Sequence, residues 1–193
     1  MQPQKFLWTD LFSGKKAEDP TIRALKENKL FRTLNHQEIM HLLSVVHTRQ
    51  YEPNEMVFAQ YERGLGMYII AKGAIEIKIR ATKSEKQSPE TLITTLEEGS
   101  FFGELALIDD NDRRTASAYA KGPTTLVGFF KPDLFEILER KPEMGVKILL
   151  ELSRVLGKRL SETIEQIYKE RSTKWDQFLR NMAFKILESY FSF

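Results

Sequence analysis

Between about residues 51 and 130 the chain is broken into short apolar runs, and this punctuation limits its possible folds more than any other feature. EMVFAQ, GMYIIAKG, AIEIKIRA, TLITTLEEG, TASAYAKG and TTLVGFF are strand-like, and Gly, Pro, Asn and Ser signals separate them. From Ala74 to Ile79 the alternation is clean, with Ile75, Ile77 and Ile79 inward and Glu76 and Lys78 outward. The polar stretch KSEKQSP predicts a hairpin loop. Many short strands with regular turns predict a small antiparallel barrel or jelly roll.

The flanking regions have the helical period. About residues 1–50 read as helical, with Asp19-Pro20 as one start signal, a capping side chain before a proline at the first helical position. LNHQEIMHLLSVV is a fuller one: Asn35 can cap, Glu38 stands three residues on, and Leu34 with Ile39 supplies a hydrophobic staple. His36, His41 and His47 are spaced five and six apart and would not share a helix face as metal ligands do, so they read as ordinary helix residues.

The chain turns helical again from about 131 to 193. Pro132 and Asp133 open a short helix, DLFEILERK, which Pro142 closes. Beyond it Leu149, Leu156, Leu160, Thr163 and Ile167 approximate a heptad seam, with Ser153 as its weak member. After KERSTK, an amphipathic stretch carries Trp175, Phe178, Leu179, Met182, Ile186, Leu187 and Tyr190, and Thr173 followed by Asp176 predicts a helix restart there. The expected class is therefore α+β: an antiparallel β jelly-roll barrel with N-terminal helices and a long C-terminal helix. The expected division is an N-terminal segment (1–24), a main domain (25–170, with its β-roll at about 51–130 and its C-terminal helices at 131–170) and an amphipathic helical tail (171–193).

Composition removes several classes of function. Without cysteine there are no disulfides, thiolate metal sites or cysteine nucleophiles, which agrees with a cytoplasmic setting. There is no run of 18 apolar residues for a membrane span, and the N-terminus has neither the apolar core nor the small-residue cleavage site of a signal peptide. The 29 basic and 27 acidic residues are interleaved, so the net charge of +2 forms no block of the kind nucleic-acid binders concentrate on one face. GLGMYI has two glycines, no third and no following helix, which excludes a dinucleotide fingerprint. DDND, from Asp109 to Asp112, fails as a calcium loop, since position 5 would be Arg113 and position 12 Ala120. No metal cluster or nucleophile elbow offers catalytic residues, so the expectation is a protein that is not an enzyme and uses no metal.

The stretch FFGELALIDDNDRRTASAYA, Phe101 to Ala120, carries the chemistry. Gly103 would let the backbone approach a ligand closely. ELAL can form one helical turn whose free amides face an anion. Arg114 adds a planar, permanently charged fork suited to phosphate, while Glu104 would repel phosphate but could accept hydrogen bonds from a sugar hydroxyl. Ala106 and Ala116 leave room. Phosphate and ribose together suggest a nucleotide, although the same spacing also fits a surface helix turn with a solvated Glu–Arg pair.

The stretch resembles the phosphate-binding cassette of cyclic nucleotide-binding domains, as in the catabolite activator protein, protein kinase A regulatory subunits and cyclic-nucleotide-gated channels. The family pattern, F-G-E-[LI]-[AG]-L, a variable loop, then R-[TSA]-A, is matched by Phe102-Gly103-Glu104-Leu105-Ala106-Leu107 and Arg114-Thr115-Ala116. RRTAS resembles the hyperpolarisation-activated channel form, and the likeness runs from about Leu25 to Ile167, taking in LFRTLN, MYIIAKGAIEI and the helix pair.

By position, the resemblance implies that Gly103 and the backbone around Leu105 and Ala106 bind the exocyclic oxygens. Glu104 would accept from the ribose 2′-hydroxyl, Arg114 would pair with the cyclic phosphate, and Thr115 would meet phosphate or base. Arg113 fits the phosphate role if the loop is one residue shorter, but RTASAYA aligns better from Arg114. Ile93 and Thr94 sit where family members line the pocket, and Arg159 and Thr163 match positions that reach the base.

The implied ligand is a cyclic mononucleotide, with cAMP favoured and cGMP compatible through the Thr115 hydroxyl. Relatives that are transcription factors append a helix-turn-helix after the long helix. Here Arg171 to Phe193 has no glycine for the turn and few basic residues, so direct DNA binding is not expected. The expected role is a stand-alone cyclic nucleotide sensor, and the rival is a non-binding scaffold that recruits proteins. The seam through Leu156, Leu160, Thr163 and Ile167 fits either a homodimer or packing on the barrel. Residues 171–193 fit either a surface for a protein partner or a helix folded back on its own domain.

Overall fold

The computed structural model describes residues 19–80, 89–108 and 113–191, with side chains described in part beyond Lys169. Outside the described residues lie 1–18, most of the predicted KSEKQSP loop and the Asp109–Asp112 stretch, as do the side chains of the predicted apolar face from Trp175 onward. Two compact units divide the chain, Met1–Lys147 and Ile148–Phe193.

Among the described residues of the first unit, eight strands form two antiparallel four-stranded sheets. In chain order the strands are β1 (His47–Tyr51), β2 (Met56–Phe58), β3 (Gly66–Lys72), β4 (Ala74–Ile79), β5 (Thr91–Glu97), β6 (Phe101–Phe102), β7 (Ser117–Ala120) and β8 (Thr124–Phe130). One sheet runs β1-β8-β3-β6 and the other β2-β7-β4-β5, the α+β jelly-roll arrangement expected from the strand pattern. Their inner faces share one core of Tyr51, Phe58, Ile70, Ile75, Phe102, Ala118, Ala120 and Leu126. Ile75 is fully buried and Ile77 packs partly buried beside it, while Glu76 turns out to an ion pair with Lys78 at 2.8 Å. The predicted inward places of Ile75 and Ile77 are the ones observed, whereas Ile79 is half-buried at the strand end, outside this core.

β3 and β8 are apolar on both faces because helices cover the side away from the core. Phe129 in β8 meets Phe31 edge-on at 5.9 Å, and both rings are buried. α1 (Pro20–Glu27) packs on β3, and Leu25, Leu30, Ile39 and Leu42 are buried in the helical layer. The Asp19 carboxylate accepts from the Thr21 amide at 2.8 Å, with Pro20 at the first helical position. α2 (His36–Val45) has the full capping box: the Glu38 amide donates to Asn35 Oδ1 at 2.9 Å, and the Asn35 amide donates to Glu38 at 2.7 Å.

The helical expectation for the first fifty residues fails at its end. His47 is not a helix residue but opens β1, which pairs with β8 from His47↔Gly128 to Tyr51↔Thr124. HTRQY shows no helix or strand period, since four of its five positions are exposed and only Tyr51 enters the core.

α3 (Lys131–Arg140) follows β8 without a loop, the Phe130 amide donating to Asp133 Oδ2 at 2.8 Å. Pro142 both stops α3 and opens α4 (Pro142–Phe191), which runs 50 residues without interruption. The helix restart predicted at Thr173 is not there. Its hydroxyl donates to the Lys169 carbonyl at 2.8 Å, bonding back inside the helix instead of capping a new one. In the second unit Leu156 is half-buried, whereas Leu160, Ile164, Ile167 and Tyr168 are exposed.

Candidate functional site

β6 is two residues long, paired to β3 through Tyr68↔Phe102 and Ile69↔Phe101, and Gly103 ends it. Gly103 has φ +76, the left-handed region that favours glycine, and this turns the chain into a single 3-10 turn, Glu104–Leu107. A Cβ here would also stand 2.5 Å from Arg114 Nη1, so the guanidinium would have to move. The turn closes through the Ala106 amide on the Gly103 carbonyl at 3.2 Å and the Ile108 amide on the Leu105 carbonyl at 3.1 Å.

Arg114 arrives from the other side, three residues before β7. Its amide donates to the Glu62 carbonyl at 2.9 Å and its carbonyl accepts from the Tyr61 amide at 2.8 Å, so the segment before β3 holds its backbone. Its side chain reaches the cassette. Nη1 donates to the Gly103 carbonyl at 3.1 Å, and the guanidinium lies over the Phe58 ring at 4.1 Å and near the Tyr68 ring at 5.8 Å. The residue is 6% exposed. A buried cation needs partners to offset its lost hydration, and a carbonyl oxygen with an aromatic face supplies them. Phe58, Tyr68 and Phe102 stand within 6.0 Å of one another by ring centroids, a single aromatic platform. Burial pushes the Tyr68 hydroxyl above its usual pKa of 10; Tyr51 adds to this and Arg114 opposes it.

The two halves predicted to form one site therefore meet, Gly103 against Arg114. Phe102, Glu104 and Ala106 are buried around them, Glu104 at 6% exposure, while Leu105 and Thr115 are exposed and Ala116 is half-buried. Arg113 is exposed and donates to the Tyr61 carbonyl at 2.9 Å.

Ile93 and Thr94 lie on β5, the edge strand of its sheet, and both are exposed. A register shift there, Ile77↔Thr94 followed by Lys78↔Leu92, leaves Ile93 as the bulged residue. Just past the cassette, buried Ser117 donates to Glu90 at 2.8 Å and accepts from the Gln60 amide at 3.0 Å, anchoring the start of β7. Arg159 and Thr163 lie on α4 in the second unit, exposed, with the Thr163 hydroxyl donating to the Arg159 carbonyl at 2.8 Å. Among the described residues no group of three or more metal-ligating side chains comes together, and no helix is long and apolar enough to cross a membrane.

Residues 48–141 match the family model of the cyclic nucleotide-binding domain. The chain carries a cyclic nucleotide-binding domain. The domain has relatives in two settings. The chain is 30% identical over 138 residues to the cyclic AMP receptor protein of Thermus thermophilus, covering 72% of this chain and 60% of that protein. It is 33% identical over 129 residues to the human cyclic nucleotide-gated channel beta-1, covering 66% of this chain and 10% of the channel. Among solved structures, the Thermus thermophilus catabolite activator protein superposes with a TM-score of 0.62 at 28% identity, covering 72% of this chain and 62% of that one. A cyclic nucleotide-binding domain from Methylobacillus flagellatus superposes with a TM-score of 0.64 at 22% identity, a likeness of fold.

Phe58 and Tyr68, the platform under the arginine, are not legible as site residues in the sequence. Each reads in the sequence as an ordinary strand residue. Only the β2–β7 and β3–β6 pairings carry them to the cassette.

Proposed function

We propose that the chain is a cyclic nucleotide sensor that holds one cyclic mononucleotide at the Phe101–Ala116 cassette and signals occupancy through α4. The observation that carries this is the meeting of Gly103 and Arg114: a left-handed turn and a fixed guanidinium, 3.1 Å apart, inside the matched domain. Arg114 is the partner of the cyclic phosphate, while Gly103 and the backbone at Leu105 and Ala106 serve its exocyclic oxygens. Glu104 accepts from the ribose 2′-hydroxyl. Thr115 serves phosphate or base, and Ile93 and Thr94 form the wall. cAMP is favoured, because relatives named for cyclic AMP match over most of the chain; cGMP is the second ligand, with Thr115 for its 2-amino group.

Ligand would favour one arrangement of the C-terminal helices by its differential affinity for the two. The seam through Leu156, Leu160, Thr163 and Ile167 would then join two copies, and residues 171–193 would meet a protein partner. The rival is a domain that keeps the fold without binding, and the burial of Arg114, 6% exposed, is the observation on its side. A thermal-melt panel with cAMP, cGMP and cyclic dinucleotides separates the two. Ligand at about 100 times its Kd should add about 2.7 kcal/mol, and no shift with any nucleotide would sink the sensor reading.

A further inference from the structure

Gly64, in the turn between β2 and β3, is buried, and its φ is not in the left-handed region, so backbone conformation does not require glycine there. Space does. A Cβ at Gly64 would stand 2.8 Å from the Ala106 Cβ and 3.0 Å from both Cζ and Nε of Arg114. Arg114 has little freedom to give way, because its guanidinium already rests on the Phe58 ring at 4.1 Å and Nη1 is tied to the Gly103 carbonyl at 3.1 Å. Nor can Ala106 yield easily, since it is buried in the 3-10 turn that Gly103 starts. The bare backbone at Gly64, the ring of Phe58 and the carbonyl of Gly103 thus leave the guanidinium one place to lie.

We propose that Gly64 is a positioning residue for Arg114: by presenting no side chain, it sets the place and plane in which the guanidinium meets an anionic ligand. The ligand half of this inference rests on the sensor reading; the geometric half does not. The glycine therefore serves the cassette from outside its motif, in the very GLGMYI stretch that fails as a dinucleotide fingerprint.

The test uses the full chain and two readouts. In the ligand-free protein, the ring current of Phe58 should shift the Arg114 side-chain NMR resonance upfield. Gly64→Ala should move it toward the value of free arginine, whereas Gly157→Ala, with nothing within 4 Å, should leave it in place. Titrated with cAMP, Gly64→Ala should weaken binding about tenfold, within the coupling range of residues in contact. In an Arg114→Lys background the same change should cost less than about twofold, because the group it positions is gone.

A resonance unmoved by Gly64→Ala overturns the proposal whatever the ligand does. Equal fold-losses in both backgrounds overturn it too, because Gly64 would then act on the pocket at large. If the native chain binds no nucleotide, the sensor reading fails and the resonance alone decides the positioning role; it decides likewise if Arg114→Lys binds too weakly to titrate. Should Gly64→Ala not fold, Gly64→Ala combined with Ala106→Gly keeps both contacts to Arg114 and relieves the third.

Discussion

Arg114→Ala removes a group that holds the apo protein together as well as one that would meet the ligand. Its guanidinium donates to the Gly103 carbonyl at 3.1 Å and lies on the Phe58 ring at 4.1 Å, with the residue 6% exposed. A hydrogen bond from a charged donor contributes about 1.5–3 kcal/mol and a desolvated cation–π contact about 2 kcal/mol. Relief of a buried charge offsets part of that, leaving a net loss of about 1–3 kcal/mol. At about 2–4 °C per kcal/mol for a chain of this size, the apo midpoint should fall by about 2–12 °C. Saturating cAMP, about 2.7 kcal/mol at 100 times Kd, should raise the native midpoint by about 5–11 °C and leave the variant where it is. Differential scanning fluorimetry with and without nucleotide reads both effects. An apo midpoint identical to the native one would show that the guanidinium is not held as described. A ligand shift of native size in the variant would refute its role at the phosphate.

Other expectations follow from the packing. Phe129→Ala, at a fully buried ring edge-on to Phe31, should lose about 3–5 kcal/mol in urea unfolding. Gly157→Ala, whose Cβ meets nothing within 4 Å, should stabilise α4 by about 0.5–1 kcal/mol in a circular-dichroism melt. Gly145→Ala in the same helix should instead destabilise, because its Cβ would lie 2.5 Å from Leu138 Cδ2. Burial raises the Glu38 carboxyl, but hydrogen bonds from Lys147 and the Asn35 amide outweigh it and hold the pKa below 4.5. A depressed folded value means the stabilisation is present above 4.5 and is lost as pH falls through the folded pKa. Urea midpoints should therefore drop on acidification, and Lys147→Met should flatten that acid limb.

The strands of the two central pairings were legible because burial writes itself into their residues. β3 and β8 are apolar on both faces under a helical layer, and β4 alternates between the core and the Glu76–Lys78 pair. The caps at Asp19 and Asn35 were legible because a capping side chain acts on its own next turn. β1 was not, since HTRQY is held by a partner strand distant in sequence. The restart at Thr173 misled because a hydroxyl that can cap a helix can equally bond back inside one.

The same division runs through the site. Gly103 and Arg114 show their chemistry in the sequence. Phe58 and Gly64 meet Arg114 only because the fold brings them to it.

The most direct measurement is a calorimetric titration of the purified 193-residue chain with cAMP, repeated with cGMP and with Arg114→Lys. A saturable isotherm at one nucleotide per chain, tighter for cAMP than for cGMP and weakened at least about tenfold in Arg114→Lys, is the expected result. A flat trace with both nucleotides, or an affinity indifferent to Arg114, would contradict the assignment of the cassette as the ligand site.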